Sequence, residues 1–380
     1  MKILMLTTNS SLMDGVNRHI LSVAGHVNRI EGCEVAVCTV FPRAELVEAL
    51  EAEGVKTYTL NAASGHDRHV PKRFHRVMTD FKPDIVHLHV LAIGERVVLA
   101  TLFRKVKYVC TVHGIADKVE HVTLRMRIEK WIYRLFQIPI ATTCVVSNGV
   151  KRRLYGEGDD KGIVTVYNPI DFNGSTPARH QLHRLIGVDD GTPIIGTACR
   201  IAAVKNPCVF TEVFCKVLKQ NERVHAVIMG DGDEELKRSM RHIVADYGVV
   251  DRVHWLGYRN DAPQLVGDLD CFVMTSITEG MPTSLLEAMA VKVPFAMMEG
   301  DGGLIDIADL NREEGPIGII AGKGEIDRLA SGIINILDDK GYAKDLAAKA
   351  FEVGKRHFDV ASVSAQLHQI YSEVIKTELK

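Results

Sequence analysis

The chain has 380 residues, 46% hydrophobic and 25% charged, with 31 Gly and 12 Pro, proportions that exclude disordered, collagen-like and disulfide-scaffold proteins. Its net charge of −2 argues against a protein built mainly to hold nucleic acid. Residues 1–170 carry 23 basic and 17 acidic side chains and residues 171–380 carry 23 and 31, an asymmetry that fits two domains with different ligands.

From the N-terminus, short apolar runs alternate with longer amphipathic segments: KILML, GVNRHILSVAGHVNR, EVAVCTV, RAELVEALEAEG, then DIVHLHV, YVCTVHG and ATTCVVS. Buried strands alternating with helices predict parallel β-α-β units in a doubly wound sheet. The first helix has its stripe at Val16, Ile20, Val23, Ala24 and Val27. Between Tyr167 and Pro193 the turn dipeptides Asn168-Pro169, Asn173-Gly174, Thr176-Pro177 and Asp190-Gly191 mark a linker. The alternation then restarts with PIIGTACRI, a helix over 207–220, HAVIMGDGD, a helix over 234–247, VHWLGY, LDCFVMTS, SLLEAMAV and VPFAMM, and a helix closes the chain. The expected division is a first domain over 1–170, completed by the helix in 361–380, a linker over 171–192 and a second domain over 193–360. Two such domains face each other across a cleft in this reading, with ligands at strand ends and helix N-termini.

The eight cysteines include no C-x-x-C pair and several sit in apolar runs, which reads as reduced, buried thiols. The N-terminal apolar run is too short for a signal peptide, and no stretch has the roughly 20 apolar residues of a membrane span. A cytoplasmic protein is expected.

The string Glu279-Gly280-Met281-Pro282-Thr283-Ser284-Leu285-Leu286-Glu287-Ala288-Met289-Ala290 follows the strand DCFVMTS. Glu279, Gly280 and Met281 then occupy a loop at the strand's carboxyl end, Pro282 opens a helix, and Glu287 stands near its start. Two carboxylates so placed can address two parts of one ligand, with the backbone N–H groups of 280–284 beside them. Taken without the rest of the string, they are better read as a surface Glu in a loop and another capping a helix.

The whole string resembles the E-x7-E signature of retaining glycosyltransferases of the family 4 group, whose GT-B fold consists of two facing Rossmann-like domains. Further matches follow in order: Arg200 and Lys205 resemble the R-x4-K diphosphate pair, Gly230-Asp-Gly232 the G-x-G stretch, Val253 to Tyr258 the region beside the base, and Thr111-Val-His113-Gly114 the N-terminal histidine loop. The resemblance covers nearly the whole chain. It implies a donor site of Gly15, Gly230, Gly232, Tyr258, Gly280, Met281, Pro282, Thr283 and Glu287, with Arg200, Lys205, Glu279 and His113 as the catalytic set. Arg200 and Lys205 would neutralise the departing nucleoside diphosphate, Glu287 would accept from ribose hydroxyls, and Glu279 would hold the transferred sugar. His113 would bond the sugar or steer the acceptor. Two departures stand out: Asp14 precedes Gly15 where the family often has a second glycine, and the loop Glu299-Gly-Asp-Gly-Gly303 is unusually acidic.

The implied reaction transfers a hexose-type sugar, with retention, from a nucleoside-diphosphate sugar, UDP before GDP, to a glycan or lipid-linked acceptor in cell-surface polysaccharide synthesis. No cofactor or obligatory metal is expected: His87-x-His89 puts two rings on one strand face, but no third ligand is evident in the sequence. The acceptor is assigned to the N-terminal domain. There an amphipathic helix over 125–137, with Lys72-Arg73, Arg104-Lys105, Lys107 and Lys151-Arg152-Arg153, offers a face for an anionic membrane, although a core-facing stripe with a solvated flank explains that helix as well. A nucleotide-sugar epimerase, a phosphorylase and a non-catalytic nucleotide-sugar-binding subunit are the alternatives. A dehydrogenase is disfavoured because the chain has no complete G-x-G-x-x-G.

Overall fold

A computed structural model describes residues 1–12, 15–64, 67–89, 106–114, 140–156, 162–174 and 180–376. The chain forms two units: Met1–Pro169 with Val360–Lys380, and Ile170–Asp359. The helix expected over 125–137, Arg104-Lys105 and Asp14 lie outside the described residues.

In the first unit, strands β1 (Lys2–Thr7), β2 (Glu34–Thr39), β3 (Lys56–Thr59), β4 (Ile85–Leu88), β5 (Lys107–Val112), β6 (Ile140–Val145) and β7 (Ile163–Thr165) form one sheet in the order β3-β2-β1-β4-β5-β6-β7. Every pairing in it is parallel. The order reverses between β1 and β4, where a doubly wound sheet offers its ligand crevice. The helix Gly15–Asn28 buries Ile20, Val23, Ala24 and Val27 as its apolar spacing predicts, and also Asn17 and His19. Asn17 is consumed by the preceding loop: its amide donates to Asn9 and to the Ser11 carbonyl, and its oxygen accepts from Thr7.

The helix Val360–Lys376 packs Val363, Leu367, Ile370, Tyr371 and Val374 into this same core. Its Tyr371 hydroxyl lies 2.6 Å from His87 Nδ1, and the other ring nitrogen of His87 lies 2.7 Å from Thr111 Oγ1. A fully buried chain of polar groups thereby ties the last helix to β4 and β5. Lys107, counted among the membrane-facing cations, instead donates to the Val374 and Ile375 carbonyls at 2.6 and 2.8 Å, where a cation suits the helix C-terminus. Arg73 is likewise engaged, with Asp67 and with the carbonyls of Leu60 and Asn61.

The second unit repeats the plan. Strands β8 (Ile194–Ala198), β9 (His225–Met229), β10 (Val253–Gly257), β11 (Cys271–Met274), β13 (Phe295–Met298) and β15 (Ile319–Ala321) form a sheet in the order β10-β9-β8-β11-β13-β15, again all parallel. A separate parallel pair joins β12 (Thr278–Glu279) to β14 (Asp301–Gly302). The helices Pro207–Gln220 and Ile326–Asp338 bury their apolar faces in one cluster with Ile195, Ala226, Ile228 and Val273.

The segment expected as a linker over 171–192 contains, in its described part, the helix Gln181–Ile186. The Asp268 carboxylate accepts from the backbone N–H groups of His180, Gln181 and Leu182 at 2.6–2.9 Å. It supplies from across the chain the N-cap that His180 does not. The turn dipeptides therefore bound a docked helix of the second unit. Asp268→Ala should destabilise the protein by about 1–2 kcal/mol, read as a lowered urea midpoint, whereas Asp268→Asn should lose less.

Candidate functional site

Five loops leave the carboxyl ends of the second sheet. Cys199–Lys205 follows β8, Gly230–Asp233 follows β9, Tyr258 follows β10, Thr275–Met281 follows β11 and Glu299–Gly303 follows β13. Because these strands are neighbours in the order β10-β9-β8-β11-β13, all the second-unit candidates except those on the following helix emerge at one end of one sheet. A cavity of about 880 Å³ in the same unit, lined by residues such as Thr192, Asn221, Asp268 and Asp270, lies at the opposite, amino end of the strands.

The loops are held backbone to backbone. Ile201 N–H donates to the Asp231 carbonyl and Asp233 N–H to the Ile201 carbonyl, each at 2.9 Å. A Cβ on Gly230 would sit 1.8 Å from the Cys199 oxygen, and one on Gly232 would sit 2.1 Å from the Ile201 oxygen. The two glycines expected to touch the donor thus have a structural duty: they let the β9 loop lie flat on the loop that carries Arg200. The β11 loop is joined next, Ile277 N–H donating to Val204 O at 2.8 Å and Thr275 Oγ1 to Asn206 O at 3.2 Å. The acidic Glu299–Gly303 loop completes the stack. A Cβ on Gly302, where φ is +67°, would fall 2.0 Å from the Glu279 carbonyl, and one on Gly303 would fall 2.7 Å from that of Gly280. From the sequence this loop stood out only as more acidic than usual, which left its contacts with a sugar open; its glycines serve the stack.

Arg200 is exposed and makes no ion pair with any described residue. Lys205 ends a short 3₁₀ turn, and its Nζ lies 2.5 Å from Glu279 Oε1, with the two side chains 22% and 11% exposed. Two residues expected to act separately are therefore one pair, largely shielded from water, so removing either charge leaves the other poorly solvated. The Cys199 thiol next to them is pushed up to about 11 by desolvation, which favours the thiol over the thiolate.

Pro282 takes the N-cap position of the helix Thr283–Ala290, one place before the helical turn expected for it. Thr283 N–H is already spent on Met281 O at 2.9 Å and Pro282 has none, so only part of the expected run of free N–H groups exists. Leu285, Leu286, Ala288 and Met289 are buried while Thr283, Ser284 and Glu287 are half-exposed. Glu287 consequently shares the open face with Thr283, one turn away, and Met281 is packed in the core at 4% exposure. Tyr258 is exposed at the end of β10, its hydroxyl donating to Asn260 at 2.7 Å.

In the first unit, Gly15 opens the helix Gly15–Asn28, and an added Cβ would meet nothing within 4 Å, so the described fold does not itself demand glycine there. His113 follows β5 and is not a lone histidine. His89, after β4, holds its Nε2 at 2.9 Å through Nδ1, and the His19 ring packs edge-on with centroids 4.9 Å apart. Burial presses all of these rings toward the neutral form, His19 to about 4 and His89 and His113 well below the usual range. The third ring that His87-x-His89 lacked in the sequence is supplied by tertiary structure, but to His89; His87 is committed to Tyr371 and Thr111. His113 itself stays half-exposed, with its Nε2 turned to His89 and its Nδ1 buried.

Two family models match this chain: Glycosyltransferase Family 4 over residues 13–173 and Glycosyl transferases group 1 over residues 179–353. The chain is a family 4 glycosyltransferase. Among curated relatives of this glycosyltransferase, UDP-Gal:alpha-D-GlcNAc-diphosphoundecaprenol alpha-1,3-galactosyltransferase of Escherichia coli is 24% identical over 286 residues, covering 70% of this chain and 69% of that one. N-acetyl-alpha-D-glucosaminyl L-malate synthase of Bacillus anthracis is 24% identical over 307 residues, covering 78% and 76%. Anabaena Alr3699/HepE, solved in complex with UDP and glucose, superposes with a TM-score of 0.80 at 19% identity over 98% of this chain and 100% of that one. A Rickettsia africae glycosyltransferase gives 0.81 at 20% identity over 99% of each. The fold is GT-B, and neither the family models nor these relatives favour the epimerase alternative. No described helix of the glycosyltransferase is long and apolar enough to cross a membrane.

In this glycosyltransferase, Gly230→Ala should drive the β8 and β9 loops apart. Loss of about 2–3 kcal/mol of stability is expected by urea unfolding, together with at least a tenfold fall in donor turnover. Gly15→Ala should unfold at or above the wild-type midpoint, because alanine is the better helix residue.

Proposed function

We propose that the protein transfers a hexose-type sugar from a nucleoside-diphosphate sugar to a glycan or lipid-linked acceptor, retaining the anomeric configuration, in the synthesis of a cell-surface polysaccharide. The observation that carries this reading is the gathering of Arg200, the Lys205–Glu279 pair and Glu287 at one end of the second sheet. Two cations and two carboxylates match a ligand with an anionic diphosphate at its middle and hydroxyl-bearing sugars at both ends.

Arg200 and Lys205 stabilise charge as it grows on the leaving diphosphate, a role for which a preorganised cation is worth about 3–4 kcal/mol of barrier. Glu279, held by Lys205, accepts from a hydroxyl of the transferred sugar and offsets positive charge developing at its anomeric carbon. Glu287, on the open face of its helix with Thr283, accepts from the ribose. With Glu287 so committed, the second carboxylate of a double-displacement scheme is missing. The step is therefore a front-face substitution: the bond from the anomeric carbon to the phosphate oxygen breaks, the acceptor oxygen bonds on the same face, and its proton passes to the leaving phosphate oxygen. The two cations balance the diphosphate without a metal upon it. Gly15 leaves the start of its helix open to a phosphate oxygen, where an added methyl would intrude.

UDP is favoured over GDP because the Escherichia coli relative is named for a UDP-sugar and the Anabaena neighbour was solved with UDP. The first of these is also named for a diphosphoundecaprenol-linked acceptor, which supports a lipid-linked acceptor.

A screen of UDP-, GDP- and ADP-sugars by nucleoside diphosphate release should show turnover with a UDP-sugar, unchanged within twofold by added Mg²⁺. Glu279→Ala should lower kcat by about 100-fold with little change in KM, and Glu287→Ala should chiefly raise KM for the donor. The reverse pattern would exchange the two roles. Gly15→Ala should fold normally yet lose at least tenfold in kcat/KM for the donor; wild-type turnover would remove Gly15 from the site.

A further inference from the structure

We propose that Asn17 is a positioning residue for the phosphate-facing start of the helix Gly15–Asn28, acting through the loop after β1 and touching no ligand itself. The inference rests on the role given to Gly15 above. The order of the first sheet reverses between β1 and β4, so the loop after β1 borders the crevice where a doubly wound sheet takes its ligand. Asn17 stands in the first turn of the helix that follows and is 0% exposed. Its oxygen accepts from Thr7 Oγ1 at 2.9 Å, and its amide donates both protons, one to Asn9 Oδ1 and one to the Ser11 carbonyl at 2.9 Å.

Three points of the loop, Thr7, Asn9 and Ser11, are thereby joined to the helix's own first turn. Further clamps hold the same loop: Ser10 Oγ donates to the Pro42 carbonyl at 2.7 Å, Leu46 N–H to the Ser10 carbonyl at 2.9 Å, and Arg18 Nε to the Leu12 carbonyl at 3.0 Å. A loop tied in this way fixes where the helix begins, and so where the N–H groups of its first turn point. Oriented N–H groups serve an anionic ligand best when they need no rearrangement to meet it. The residue type is also specified. The loop presents one hydroxyl donor and two acceptors, and asparagine answers with one acceptor and two donors. Aspartate has the same shape but no donor, and alanine has neither. Either change takes from Thr7, itself 2% exposed, or from Asn9 and Ser11 the group that holds them.

The test uses the full-length protein and the nucleotide sugar that the wild type turns over, with inhibition by the matching nucleoside diphosphate and by its parent nucleoside. Asn17→Ala should raise donor KM about tenfold with kcat within about threefold. It should raise Ki for the diphosphate by the same factor and leave Ki for the nucleoside at the wild-type value, because the nucleoside has no phosphate for the helix start to meet. Asn17→Asp should lose as much. Made on top of Asn9→Ala, Asn17→Ala should cost clearly less than in the wild type, since the two residues act through one bond. A merely structural role would lower kcat with the folded fraction and leave KM and both Ki values unchanged. That pattern, an equal loss of nucleoside affinity, or full multiplication of the two effects overturns the proposal. If Asn17→Ala does not fold, Thr7→Val, which removes one of the three bonds, carries the same comparison with a smaller rise in KM. Wild-type protein that turns over no nucleotide sugar would instead overturn the donor reading on which the inference rests.

Discussion

At the carboxyl end of the second sheet, neighbouring loops approach so closely at four points that a Cβ would strike the next backbone, and the layer depends on glycine there. Gly230 and Gly232 press on Cys199 and Ile201, and Gly302 and Gly303 press on Glu279 and Gly280. Contacts of about 2 Å from an added Cβ admit no side chain. With the glycines in place, the loops carrying Arg200, Lys205 and Glu279 become one stacked layer, joined by Ile277 to Val204 and by Thr275 to Asn206. Preorganisation of the charged groups follows from that layer, since a side chain is only as fixed as the backbone beneath it.

The charges are arranged on this layer with different degrees of freedom. Lys205 and Glu279 neutralise each other in a largely shielded pair, while Arg200 stands exposed. Among the described residues Arg200 has no ionic partner, whereas Lys205 is already oriented by Glu279. The acidic total of the second half of the chain is no obstacle to such a ligand, because potential at a site is set by the nearest groups and more distant surface charges are screened within about a Debye length.

The order of elements was legible because hydrophobic period is a local property. The helix over 207–220 and the strands around it follow directly from the spacing of their apolar residues. The turn dipeptides between Tyr167 and Pro193 misled, since a short helix capped from Asp268, some 90 positions away, leaves no local capping signal. The donor motifs were legible as strings, while their mutual relations were not. The sequence lists Lys205 and Glu279 as separate roles where the fold pairs them, and gives no sign that the protein's own backbone requires Gly230 and Gly232.

The amino-acid sequence by itself determined two doubly wound α/β domains and the family, because these rest on periodicity and on residue types at fixed spacing. Tertiary structure alone decided which residues meet. His19, His89 and His113 are 70 and 24 positions apart, and they converge because β4 and β5 are adjacent in the sheet and the helix after β1 packs beside them. His87, two residues from His89, is turned instead to Tyr371. Both rings stand on one strand face, 4.1 Å apart, and strand order, which no local pattern encodes, fixes the partners each one meets.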